Sequence, residues 1–314
     1  MYHPYFRGKQ YELITIREMA AIFQEAEFCP IIEPVKETLN GLNRTLKAVA
    51  EVEGRAIVIV NPHHGDLSES GEPLTELLQE EFLNLPGISA GILLKPNMSV
   101  AEALECFEDH SDHSPCFIHA GFTDAKTLSA KLGQSMKDQC HIFVDRFCGK
   151  LYQKHFKQAH RVLLRDGFQK KRNRDYEELE FFSDLHVTYT DEGMDGFGDF
   201  LIVGDDYSET GGPAYAVAIH LTFIDSEKDD AMQIYHFVSD RQDTPQDPAG
   251  KFAEALEKMI SILKKKHSKI EETSAVQEFR ELHRRGHFPG LGYIKKLSMN
   301  HHIETLALYF NPAT

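Results

Sequence analysis

Residues 56–66 read AIVIVNPHHGD: five apolar residues run straight into Asn61, Pro62, His63, His64, Gly65 and Asp66. A β-branched run without polar alternation is the signature of a strand buried on both faces, as parallel strands are. Such a strand must leave the core somewhere, and this one leaves it through two histidines and an aspartate. Other short apolar runs end in the same way. They are YF (5–6), PIIEPV (30–35), AGILL (90–94), CFI (116–118), HIFV (141–144), RVLL (161–164) and FLIV (200–203).

Between these runs lie the amphipathic stretches 12–26, 37–53, 73–85, 99–108, 124–132 and 147–157. Several open on good helix starts, at Pro73, Ser99 and Asp124. Strand and helix alternating every ~25–30 residues make a βα array. Eight strand candidates predict an eight-stranded parallel (β/α) barrel of the TIM type, with an open doubly wound sheet as the alternative. No Gly-x-Gly-x-x-Gly follows the first strand, which weakens a dinucleotide-binding sheet. Regularity breaks after 165. The stretch 166–199 is basic (QKKRNRD), then acidic and aromatic, then glycine-rich. Residues 214–224 and 232–238 read as an added β-hairpin, followed by helices at 249–266 and 275–285 and a tail at 298–310. The whole of 1–314 is read as one barrel domain, with 166–248 carrying an irregular insertion and the hairpin.

The 41% hydrophobic and 26% charged fractions are those of an ordinary globular chain. No apolar run approaches the ~18–20 residues of a membrane span, and the N-terminus shows no secretory h-region. The five cysteines lack metal-ligand spacing, so reduced thiols in the cytoplasm are the simplest account. The net charge of −15 argues against non-specific binding of a nucleic-acid duplex by the whole surface. It leaves room for a local basic pocket.

In a βα barrel the C-terminal strand ends form one rim, where such folds place their chemistry. Collected there, the strand ends supply the catalytic candidates Glu33, His64, Lys95, His119, Asp145 and Asp166. They supply the ligand-binding candidates Arg7, Lys9, Lys36, Asn61, Arg165 and Asp205. Strand ends meet solvent, so each of these is by default a solvated loop group. Glu33, flanked by Ile31–Ile32 and Pro34–Val35, is different: a carboxylate so close to a core needs a partner or a shifted pKa. The cations suit a phosphate or carboxylate. The carboxylates and histidines suit proton transfer or a divalent metal such as Mg²⁺. A lysine such as Lys95 could instead form a Schiff base. No P-loop, His-Glu-x-x-His, Gly-x-Ser-x-Gly or Cys-x-x-Cys is present.

With RGKQYEL (7–13), PIIEPVK (30–36) and IVNPHHGD (59–66), the chain closely resembles a family of uncharacterised bacterial proteins known by a locus-style label beginning "sce". More distantly it is similar to the phage beta-protein family. The segment from Tyr2 to Leu13 is the most specific part, in slightly different framing, and GDDYSETGG (204–212) belongs to the likeness. The resemblance implies a barrel-like fold and an association with phage-related or defence-type gene neighbourhoods, often beside a nuclease. The family has no established reaction, so no residue role carries over. The expected function is a component of an anti-phage or mobile-element system whose rim pocket binds a phosphorylated ligand, such as a nucleotide, with phosphate-ester chemistry within its reach. The alternatives are a non-catalytic barrel partner of a nuclease, and a metabolic barrel enzyme using a lysine or histidine base.

Overall fold

The computed structural model describes residues 1–83, 85–209 and 212–311; Thr210 and Gly211, in the 204–212 stretch, lie outside them. Contacts group the chain into two compact units, where the sequence suggested one domain with an insertion. One comprises Met1–Arg165 and Thr188–Phe200; the other comprises Asp166–Val187 and the chain from Leu201 on.

The first unit is a parallel sheet in sequential order. Its strands are β1 (Tyr5–Phe6), β2 (Ile31–Ile32), β3 (Ala56–Ile59), β4 (Ile88–Leu94), β5 (Cys116–His119), β6 (Cys140–Val144) and β7 (His160–Leu164). The eighth, β9 (Gly196–Gly198), comes after β8 (Leu179–Ser183), which belongs to the second unit. A parallel bridge pairs Tyr2 with Phe197, and the Tyr5 N–H donates to the Asp199 carbonyl at 2.9 Å. The last strand thus returns to the first, and the sheet forms a nearly closed barrel, the expected fold class. Helices α1 (Gln10–Glu18), α2 (Ala20–Glu25), α3 (Asn40–Glu51), α4 (Glu72–Glu81), α5 (Val100–Asp109), α6 (Ala125–Leu132) and α7 (Lys150–Gln153) alternate with the strands. Ser99 starts α5 with a full capping box: its hydroxyl accepts from the Glu102 N–H while the Glu102 carboxylate accepts from the Ser99 N–H.

Successive strand residues face opposite sides. Tyr5, Ile31, Ile57, Ile59, Leu93, Ile118, Ile142, Val144, Val162 and Leu164 share one core cluster, the barrel interior. Their neighbours in sequence face the helices. The interior is tight enough to dictate a glycine: a Cβ on Gly91 would lie 2.9 Å from the Ile57 side chain and 3.0 Å from that of Ile118.

The eighth strand, expected at 200–203, is instead Gly196–Gly198, and Leu201 has a positive φ of 50°. Glycines are depleted in strands, so GFGD looks like a loop. Here the backbones come too close for side chains. A Cβ on Gly198 would sit 2.1 Å from the His3 carbonyl oxygen.

In the second unit, β10 (Ala218–Asp225) and β11 (Ala231–Val238) form the expected hairpin. β8, inside the stretch read as irregular, adds antiparallel to β11, giving the order β10-β11-β8. The short α8 (Leu185–Thr188) follows β8. Ile219, Leu221 and Phe223 of β10 pack in one core with residues of α9 (Pro248–Leu263), α10 (Ser274–Arg285) and α11 (Leu291–Phe310), among them Phe252, Met259, Phe279 and Leu297. The expected tail at 298–310 is the C-terminal half of α11. Among the described residues no helix is long and apolar enough to cross a membrane. All five cysteines are free thiols.

Gly198→Ala should destabilise the barrel by about 1–3 kcal/mol, the usual cost of overpacking, through parting β9 from the N-terminal segment. An unchanged urea midpoint would show that the seam does not need the close approach.

Candidate functional site

The carboxylate of Glu33 is fully buried one residue beyond β2. Its Oε2 accepts from Arg7 Nη1 at 2.6 Å and from the Tyr5 hydroxyl at 2.9 Å. Its Oε1 accepts from the backbone N–H groups of His63 at 2.8 Å and His64 at 3.1 Å. The Nδ1 of His64 lies 3.0 Å from Oε1 and 3.3 Å from Oε2, a contact that places its proton on Nδ1. Strand parity explains the set. Tyr5 and Arg7 are two apart and face the same way, and Glu33 follows inward-facing Ile31 by two. The NPHHG turn at the end of β3 then folds over the carboxylate.

Two glycines make this possible. Gly65 has φ +79°, and a Cβ there would lie 2.1 Å from the Val35 carbonyl oxygen. Gly8 has φ +62° and approaches the Glu33 carbonyl, with a Cβ at 3.0 Å. The Arg7 guanidinium stacks 4.7 Å from the Tyr5 ring centroid and 5.6 Å from that of Phe200. The Arg7 N–H donates to Glu12 at the start of α1, at 2.5 Å.

Burial alone would raise the Glu33 pKa. The His64 hydrogen bond, the Arg7 charge and the His63 N–H overcome it and bring the carboxyl down to about 2. Five donors saturate a carboxylate with about four lone-pair sites, so Glu33 organises the mouth and has no lone pair to spare for a substrate proton.

Lys95, two residues past inward-facing Leu93, donates from Nζ to the Pro62 carbonyl at 2.9 Å. Burial pushes its pKa down, and the charge of Glu33 only partly opposes that. His63 is exposed; its pKa is lowered by partial burial, then by the His64, Lys95 and Arg7 charges, against Glu33. Arg7, Glu33, His63, His64 and Lys95 thus form one electrostatic group at the C-terminal mouth.

The other candidates make contacts of their own. Asn61 uses its amide on β4, with Nδ2 donating to the Leu93 carbonyl at 2.9 Å and Oδ1 accepting from the Leu93 N–H at 2.7 Å. Lys36 lies 3.7 Å from Asp66, both half-exposed. Lys9 occupies the N-cap position of α1. Arg165 is held by two carboxylates, from Nε to Asp145 at 2.6 Å and from Nη2 to Glu192 at 2.8 Å. Lys150 joins Glu192 at 3.5 Å. That is a separate ion network.

His119 does not join the mouth. It follows inward-facing Ile118 and therefore points out of the barrel, fully buried among Phe117, Phe143 and Phe156. Its Nδ1 meets the Tyr152 hydroxyl at 2.7 Å and its Nε2 meets His141 Nδ1 at 2.9 Å. Burial, then the neighbouring His141, push its pKa well below the usual value. It is a neutral core histidine. Asp166 and Asp205 belong to the second unit, where Asp166 accepts from the N–H groups of Phe168 and Asp205 at 2.9 and 2.8 Å, the bonds of a loop clamp.

Tyr5, Glu12, His63 and Glu192 went unselected. Tyr5 was signalled by its i, i+2 spacing to Arg7; Glu192, far along the chain, carried no such signal. Among the described residues no group of three or more His, Cys, Asp or Glu side chains is arranged to hold a metal ion. Comparison with protein-family models, with curated proteins and with solved structures gives no match.

Because the Glu33 pKa is depressed from 4.5 to about 2, its stabilisation is complete above the unfolded value and is lost as pH falls from about 4.5 to about 2. Glu33→Gln should destabilise the barrel by about 3–5 kcal/mol at neutral pH, the cost of breaking a buried pair. The difference from wild type should shrink across that acid window in denaturation series. A pH-independent difference would remove the charge from the account.

Proposed function

We propose that the mouth of the barrel binds the phosphate group of a small ligand, with Lys95 as its principal contact. The observation that carries this reading is the charge balance around Glu33. Glu33 is already saturated by Tyr5, Arg7, His63 and His64 and has no hydrogen bond left for Lys95. Lys95 makes no salt bridge among the described residues, and its one recorded partner is a carbonyl oxygen. A half-buried ammonium that no carboxylate pairs directly costs free energy, and a bound phosphate would relieve that cost. Neutral His63 beside it offers a proton acceptor for phosphate-ester chemistry. The chain's charge of −15 favours a small ligand over a nucleic-acid duplex. The wider setting we infer, from the resemblance of 7–13, 30–36 and 59–66, is a bacterial anti-phage or mobile-element system working beside a nuclease.

Thermal-shift titration with pyrophosphate and ribose 5-phosphate tests the site. Ligand at about a hundred times its dissociation constant should stabilise the wild type by roughly 2.7 kcal/mol. Lys95→Met should abolish the shift and keep its own melting temperature. No shift in the wild type, or an equal shift in Lys95→Met, would move the reading to a non-catalytic barrel partner.

A further inference from the structure

The most basic stretch in this acidic chain, 170–174 (KKRNR), has no part in the barrel mouth. It lies in the second unit, packed against the segment before β10 and fixed there by Asn173, whose Nδ2 donates to the Ala216 carbonyl at 2.7 Å. The Lys171 N–H is tied in turn to the Tyr176 hydroxyl at 3.0 Å. This anchored segment forms one wall of a cavity of about 800 Å³, within the roughly 300–1,000 Å³ of small-molecule sites.

The lining has two chemistries. Lys171, Arg172 and Arg174 supply cations from the basic segment and Lys295 supplies a fourth from α11, and no carboxylate is among the described lining residues. In a chain with 49 acidic and 34 basic residues, a cavity lined by four cations and no acid runs against the composition. The rest of the lining includes apolar groups, with Ile202, Val217 and Ile294 among them. Tyr215 borders the cavity and is 47% exposed, an aromatic face with room for a partner ring.

The cations do have acidic neighbours outside the lining. Arg172 Nε is 2.5 Å and Arg174 Nε 3.8 Å from the single carboxylate of Asp175, and Lys171 Nζ is 2.7 Å from Glu180. Arg172 is 71% exposed in its pair. Exposed pairs contribute little, and one carboxylate shared by two guanidinium groups leaves donors for a second anion. Arginine forks match phosphate oxygens, and the contact is charge-assisted.

We propose that this cavity is a second site, for a nucleoside phosphate, with the phosphates on Arg172, Arg174 and Lys171 and the base on the apolar wall and the Tyr215 ring. Phosphate alone would leave the apolar wall unused, and a nucleoside alone would leave the cations unused. A concave site of this size in a chain of −15 favours a mononucleotide over an extended strand.

Calorimetric titration of the full chain with ADP, adenosine and inorganic phosphate at physiological salt tests it. ADP should bind, with each half-molecule weaker by about tenfold or more. The double variant Arg172→Glu with Arg174→Glu should weaken ADP by at least about tenfold, and Tyr215→Ala by several-fold, both with wild-type melting temperatures. Measured in the Lys95→Met background, which removes the principal contact proposed for the barrel mouth, ADP should still bind and the cavity variants should still weaken it, so the two sites fail or survive separately. The proposal is overturned by no ADP heat in the wild type, by wild-type affinity in both cavity variants, or by loss of ADP binding in Lys95→Met. Tighter binding of a single-stranded oligonucleotide than of ADP would also overturn it, making this a strand-binding surface.

Discussion

A carboxylate withdrawn from water into the end of a barrel must be given back, by protein groups, the hydrogen bonds it surrendered. Glu33 receives five donors, two from backbone N–H groups and three from the side chains of Tyr5, Arg7 and His64. Two separate segments therefore converge on one side chain. The demand explains the NPHHG turn, since only a chain that doubles back can aim two successive N–H groups at one oxygen. It also explains Gly65, whose backbone passes too close to Val35 for a Cβ, and Gly8, held at a positive φ against the Glu33 carbonyl. Successive N–H groups aimed at an anion resemble the nests that bind phosphates, with a resident carboxylate in the anion's place.

Once Glu33 is spoken for, Lys95 is left with a carbonyl oxygen as its hydrogen-bond partner. Arg165 shows the contrast. Gripped by Asp145 and Glu192, it has two counter-charges and no electrostatic reason to recruit a ligand. The cavity of the second unit follows a third pattern, with three cations on a short anchored segment and apolar groups in the same lining. Both proposed sites are local reversals of sign in an acidic chain, one set by a buried ion pair and the other by sequence clustering.

The sequence exposed the architecture well because buried parallel strands write continuous apolar runs. Seven of the eight strands coincide with such runs. The eighth was hidden because its approach to the N-terminal segment requires glycine, the residue that normally argues against a strand. At the mouth, Arg7, Glu33, His64 and Lys95 were legible as polar residues abutting apolar runs. His119 satisfied the same rule and was misplaced, because the rule ignores parity: one step past Ile118 points to the helices, whereas two steps past Ile31 points to the mouth. β8 was obscured by a charged, aromatic composition that alternates too poorly to read as a strand. The basic segment 170–174 was visible, but its cavity depends on α11, more than a hundred residues away, and no local pattern announces that.

Amide hydrogen exchange on the wild type and on Glu33→Gln tests the hub most directly, because it reads the two backbone bonds that define it. The N–H groups of His63 and His64 should be protected in the wild type although they lie in a partly exposed loop. In Glu33→Gln their protection should fall sharply while that of β3 and β4 changes only with global stability. Equal protection in both proteins, or no protection in either, would contradict the claim that Glu33 holds the turn.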